Sequence, residues 1–213
     1  REAGIQVVAS ERFARTDTSV AGQVLRILAR NPDAVLIGGS GTAPVLPQRT
    51  LRERGYRGLI YQTHGVANPD FLRVGGDVVV GTRLPAGPVL VFDQLPPDFP
   101  NRQVATSYVQ QYEARFGIGS YSTFGGHAYD AWAILRPALE RALRREQPSN
   151  LAAFRRALRD ELEATRNVVG THGLFNMSPT DHLGLRFNEA AVMVEIVKNP
   201  AGKLEWKLLR TFR

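Results

Sequence analysis

The sequence predicts an α/β protein built on parallel sheets covered by helices on both faces. Over roughly the first 80 residues, strand-like and helix-like stretches alternate with short connections, the order that builds parallel sheets. Ala34-Val35-Leu36-Ile37 is a short continuous apolar run, as expected of a strand buried on both sides. The chain is 43% hydrophobic and 22% charged, the balance of an ordinary globular protein.

The elements follow in order. Ile5-Gln6-Val7-Val8-Ala9 reads as a strand. Thr18-Ser19 offers a cap to a helix whose Val20, Val24, Ile27 and Leu28 share one face. Asn31-Pro32-Asp33 ends it, because proline removes a donor and biases its predecessor away from the helix. After the strand at Ala34 comes the loop Gly38-Gly39-Ser40-Gly41, then a helix through about Arg54, broken at Gly55. Gly58 to Thr63 and Val78 to Thr82 read as two further strands.

Residues 83–100 hold five of the thirteen prolines, so an extended, irregular linker is expected there. Helices then dominate. Asn101 caps one with Val104, Tyr108 and Tyr112; a second runs from about Phe124 to Arg145; Asn150 caps a third with Leu151, Phe154, Leu158 and Leu162 at helical spacing. Val192, Val194 and Ile196 alternate, Asn199-Pro200-Ala201-Gly202 turns, and Leu204, Trp206 and Leu208 alternate again, a hairpin pattern. The helical section has few strands of its own, so the apolar faces of its helices call for a sheet that this chain does not encode.

No apolar run approaches the ~20 residues that span a bilayer. No signal-peptide pattern stands before Ile5; a mature or truncated chain reads in this way. The absence of cysteine removes disulfides, thiolate nucleophiles and cysteine-based zinc sites. The net charge of +7 raises the question of nucleic acid. However, the densest arginines, from Arg136 to Arg166, are interleaved with Glu140, Glu146, Asp160, Glu161 and Glu163, as on solvated helix faces. No nucleic-acid motif accompanies the charge, so none is expected as a partner.

Three chemistries compete for the candidate residues. Gly38-Gly39-Ser40-Gly41-Thr42 lies between strand and helix, the setting of a G-x-S-x-G nucleophile elbow, but has Thr42 where that turn needs glycine. A hydrolase would also need an ordered acid and histidine, and Asp130 with His172 is the pair the chain offers. The dinucleotide fingerprint fails at Pro44. Ligand contact fits better, since a hydroxyl and backbone N–H groups stand at the C-terminal end of a strand, where open α/β sheets bind ligands. His64 occupies the equivalent place after the next strand, beside Gly65. His127 reads as structural. His172 and His182 lack an acidic partner at metal spacing, so no metal and no cofactor is expected.

Several segments carry a family likeness: Asn31 to Gly39, Leu51-Arg52-Glu53-Arg54-Gly55-Tyr56, His64 to Pro69, Tyr108 to Glu113, Ala128-Tyr129-Asp130-Ala131 and Gly173-Leu174-Phe175-Asn176. In their order and spacing they resemble the periplasmic branched-chain amino-acid-binding proteins of ABC importers. That resemblance implies the type I periplasmic binding protein fold, with two lobes and hinge crossings, and with the N-terminal part of lobe one missing here. It assigns residues 1–82 to lobe two, 83–100 to a hinge linker, 101–188 to the helical return of lobe one, and 189–213 to a crossing strand and C-terminal hairpin. It implies a receptor and not an enzyme, located in the periplasm. Its partners would be a small-molecule solute, an ABC permease in the inner membrane, and the missing N-terminal part. The cleft positions fall on Gly39, Ser40, Gly41, His64, Gly65 and Phe124.

One departure bears on the ligand. Family members that bind α-amino acids place an acidic residue where this chain has His64. An imidazole cannot stabilise an ammonium in a desolvated cleft but can bond a carboxylate. The expected ligand is therefore a small amino acid or a carboxylate-bearing or amide-type solute, and not a simple branched-chain amino acid. A serine hydrolase using Ser40, or the ligand-sensing domain of a regulator, are the alternative readings.

Overall fold

The computed structural model describes residues 4–212. In chain order the first elements are α1 (Ala21–Leu28), β1 (Ala34–Ile37), α2 (Val45–Glu53), β2 (Leu59–Gln62), α3 (Pro69–Gly75) and β3 (Arg83–Ala86). There follow α4 (Arg102–Phe116), α5 (Thr123–Arg145), α6 (Leu151–Glu163), β4 (Val168–Val169), β5 (Leu174–Phe175), α7 (Phe187–Ala190), β6 (Val192–Lys198) and β7 (Leu204–Thr211). The main sheet has the order β1-β2-β3-β6-β7, with β1, β2 and β3 parallel. Among the described residues, no helix is long and apolar enough to cross a membrane.

The chain forms two compact units, one of residues up to 85 with 193–207, the other of 86–192 with 208–213. In the first, α1 buries Val20 and Val24, four residues apart and so on one face. They meet Val35 and Ile37, the inward side of β1, together with Leu51 of α2 and Ile60 of β2. Leu36 and Leu59 point to the opposite face and stay exposed. Left-handed backbone at Asn31 (φ 46°) and Gly55 (φ 85°) ends the turns before β1 and β2. A buried amide chain fixes α2 beneath the sheet. Gln62, the last residue of β2, donates to the Gln48 side chain at 2.9 Å, and Gln48 donates to the Thr82 hydroxyl at 2.6 Å and the Val78 carbonyl at 3.0 Å.

The second unit is mainly helical. Val89, Ala105, Tyr108 and Val109 form a core against which Phe92, Tyr112, Tyr121 and Tyr129 pack. Arg141 and Arg145 of α5 both reach Glu161 of α6, at 2.6 and 2.9 Å. Thr123, Gly126, Asp130, Ile134, Ala138 and Ala142 make up the buried face of α5. Trp132, Leu135 and Leu143 on the same helix remain exposed.

Several local expectations are corrected. Residues 5–9 form no strand; Ile5 and Val7 are exposed, so their alternation has no surface to cover. The run Val78-Val79-Val80 is not a strand either. A 3₁₀ turn over Gly76–Val79 and a left-handed Gly81 (φ 78°) take it up, and β3 begins only at Arg83. Residues 83–100 are not irregular: they hold β3 and a 3₁₀ segment at Pro88–Gln94 whose Val89 and Val91 are buried. Asn101 is the cap residue of α4, its carbonyl accepting the Ala105 N–H at 2.9 Å, but its side chain makes no cap bond and its amide donates instead to the Thr171 carbonyl. The cap residue of α1 is Val20, not Ser19, although the Ser19 hydroxyl accepts the N–H of Ala21, the first residue of the helix, at 3.5 Å.

Candidate functional site

In parallel strands the C-terminal ends point the same way, so the loops that follow them meet. Here Ile37 pairs with Gln62, which sets the loop Gly38 to Thr42 beside the 3₁₀ turn His64–Val66. The Thr63 hydroxyl donates to the Gly39 carbonyl at 2.5 Å and accepts from the Gly39 N–H at 3.3 Å. The Gly41 N–H donates to the Gly65 carbonyl at 2.9 Å. Each loop thus spends main-chain groups on holding the other.

Two of the glycines are there for closeness. A Cβ on Gly65 would lie 2.8 Å from both the Gly39 carbonyl oxygen and the Ser40 Cβ, and one on Gly39 would lie 2.5 Å from Pro44 Cγ. Gly41 instead adopts left-handed backbone at φ 65°. Ser40 between them is exposed, and its hydroxyl makes no hydrogen bond among the described residues.

The segment ahead of α1 passes over this loop. Phe13 Cζ lies 3.5 Å from the Cβ position of Gly39, and Arg15 Nη2 lies 3.8 Å from that of Gly41. Sequence reasoning missed both residues. Phe13, Gly38, Val20 and Ile27 also border a cavity of about 340 Å³ between α1 and β1, continuous with the core of this unit.

Five of the six sequence-predicted residues, Gly39, Ser40, Gly41, His64 and Gly65, are therefore brought together in the first unit. Phe124 belongs to the second. It is the second residue of α5, is 56% exposed, and follows the cap residue Ser122, whose hydroxyl accepts the Gly125 N–H at 3.2 Å.

The second unit also holds a buried polar cluster. The Asp130 carboxylate accepts from the Thr171 and His172 N–H groups at 2.5 and 3.0 Å, and from the Thr171 hydroxyl at 3.1 Å. His172 Nδ1 lies 2.9 Å away, so it is the protonated nitrogen when it donates to this acceptor. The pair weighed for hydrolysis thus exists, but its ring is enclosed: a Cβ on Gly87 or Gly126 would meet it at 2.2 or 2.9 Å. His127 stacks on it with ring centroids 3.7 Å apart and planes 8° apart. Partial desolvation of this still exposed ring, and then the neighbouring His172, hold the His127 imidazole below its ordinary pKa, against an opposing pull from Asp130. Nearby, burial pushes the Tyr108 phenol up to about 12. The cluster fastens residues 171 and 172 to α5.

Similarity to known proteins settles the family. A model described as periplasmic binding protein matches residues 1–199. The chain belongs to the periplasmic binding protein family. An extracellular ligand-binding receptor from Rhodopseudomonas palustris is 41% identical over 98% of this chain and 56% of its own, with a TM-score of 0.89. A second such receptor, from the HaA2 strain, is 40% identical over 98% of this chain and 57% of its own, also at 0.89. A leucine-binding protein from Thermotoga maritima, 24% identical over 92% of this chain and 49% of its own, shares the fold at a TM-score of 0.67. No curated protein matches. This periplasmic binding protein chain has the type I fold and spans a little over half the length of these two Rhodopseudomonas palustris receptors. Family and fold are those of ligand-binding receptors.

Proposed function

We propose that this chain is part of an exported receptor that delivers a small carboxylate-bearing or amide-type solute to an ABC permease. The observation that carries this reading is the pair of stitched strand-end loops, with the exposed Ser40 hydroxyl on one and His64 on the other. Ser40 bonds a polar group of the solute, and His64 pairs its carboxylate in place of the acid that would hold an ammonium. Phe124 covers an apolar part of the solute, and hinge closure traps it. Residues 1–82 serve as lobe two and 101–188 as the return of lobe one, joined through 83–100 and 189–213. The exposed Trp132, Leu135 and Leu143 support a further stretch of polypeptide that covers α5 in the natural-length protein.

Binding without catalysis is the reading favoured at Ser40. Its hydroxyl has no imidazole bonded to it among the described residues, and His172 spends Nδ1 on Asp130 inside a closed packing. A thermal-shift screen of the natural-length protein against amino acids, organic acids and amides tests the proposal. An acid or amide should raise the melting temperature, and a fluorophosphonate should leave Ser40 unlabelled. Labelling of Ser40, or micromolar binding of leucine, would overturn it.

A further inference from the structure

We propose that Arg15 is a specificity-determining residue of the solute site, supplying the positive charge that pairs the anionic group of a solute held at Ser40 and Gly41. The inference rests on the reading of these loops as the ligand contact, and adds a residue that no cleft position of the family resemblance includes.

Its basis is the way one segment is laid over the loop. Phe13 and Arg15, two residues apart, reach Gly39 and Gly41, also two residues apart. The ring covers one glycine and the guanidinium the other, so the loop meets an apolar surface and a cation side by side. The backbone at Arg15 is held. It lies in a turn closed by the Asp17 N–H on the Ala14 carbonyl at 3.1 Å, and the Asp17 carboxylate accepts the Ala14 N–H at 2.8 Å. Asp17, the acid nearest in sequence, is thereby engaged with the main chain.

The charge of Arg15 is also uncommitted. In the same unit Arg26 pairs with Glu11, Arg73 with Asp70 and Arg83 with Glu195, each at 2.8 Å. Arg15 has no ion-pair partner among the described residues. A guanidinium presents its donors as a planar fork that matches a carboxylate, so an acid seated at Ser40 would gain an ion pair with two parallel bonds, where its amide would offer one neutral carbonyl acceptor. The loop's own contribution, an exposed hydroxyl beside a left-handed glycine, is neutral. Beside His64 on the neighbouring loop, Arg15 is therefore the permanently charged group that separates an acid from its amide.

Calorimetry on the natural-length protein tests this with two matched pairs, benzoate with benzamide and 4-methylpentanoate with 4-methylpentanamide. The variants are Arg15→Gln and Arg15→Lys; both should melt with the wild type, since Arg15 is exposed. Arg15→Gln is expected to weaken an acid about tenfold and its amide less than about twofold, with Arg15→Lys in between. Binding of the acid by Arg15→Gln within about twofold of wild type overturns the inference while leaving the receptor reading intact. Wild-type protein that binds an amide as tightly as its acid also overturns it. If wild type binds none of the four, the proposed solute class fails and takes this inference with it.

Discussion

Gly65 lies so close to Gly39 that a β-carbon at position 65 would stand 2.8 Å from the Gly39 carbonyl oxygen. The obstacle is main chain, which cannot rotate away, and the same two loops are joined through Gly41 N–H to Gly65 carbonyl. Gly65→Ala should therefore push the loops apart, costing about 1–3 kcal/mol of stability and weakening solute binding further than the stability loss alone. Urea unfolding together with calorimetry on the same variant checks this. An alanine variant of wild-type stability and affinity would show that the loops are not held at this distance.

The Asp130 carboxylate accepts from three donors besides His172 Nδ1 and is almost fully buried. Asp130→Asn keeps the shape but turns one acceptor into a donor that faces other donors. A loss of about 2–4 kcal/mol is expected, measured by chemical denaturation, with hydrogen exchange of the Thr171 and His172 amides rising in parallel. A neutral effect would mean that the cluster does not hold residues 171 and 172 to α5.

His127 gives a pH dependence of definite sign. Its imidazole, partly desolvated on the stacked side though still exposed, is held below its ordinary value by that desolvation and by the His172 ring. An unfolded chain, with histidine near about 6.5, therefore takes up the proton first as pH falls. Stability should drop between about pH 6.5 and the lower folded value, then level off, because the unfolded state binds more protons in that window. His127→Gln should flatten this part of a plot of urea midpoint against pH. An unchanged slope in the variant would assign the dependence to another group.

The local patterns of this sequence were legible where each element buries its own stripe. Val20 and Val24 of α1 and Val35 and Ile37 of β1 could be read from spacing because they face one core, and β6 because its alternating Val192, Val194 and Ile196 are its buried side. The glycine-rich strand ends were readable for the same reason, as only glycine tolerates the approach at 39 and 65. Val78 to Val80 misled: three β-branched residues resemble a strand, but the backbone turns at Gly81 before pairing begins at Arg83. The linker at 83–100 looked irregular from its prolines, yet tertiary packing buries Val89 and Val91. Phe13 and Arg15 carried no local signal, since they meet Gly39 and Gly41, residues far along the chain from them. Asp130 and Thr171 are likewise joined across 41 residues of chain.

Leucine and its deaminated counterpart 4-methylpentanoate differ in the ammonium alone, so together they isolate the group that the proposed solute lacks. Calorimetry of both on the natural-length protein is the direct measurement. 4-methylpentanoate should bind at least about tenfold more tightly than leucine, the cost of an unpaired ammonium beside His64. Leucine binding the more tightly of the two would contradict it.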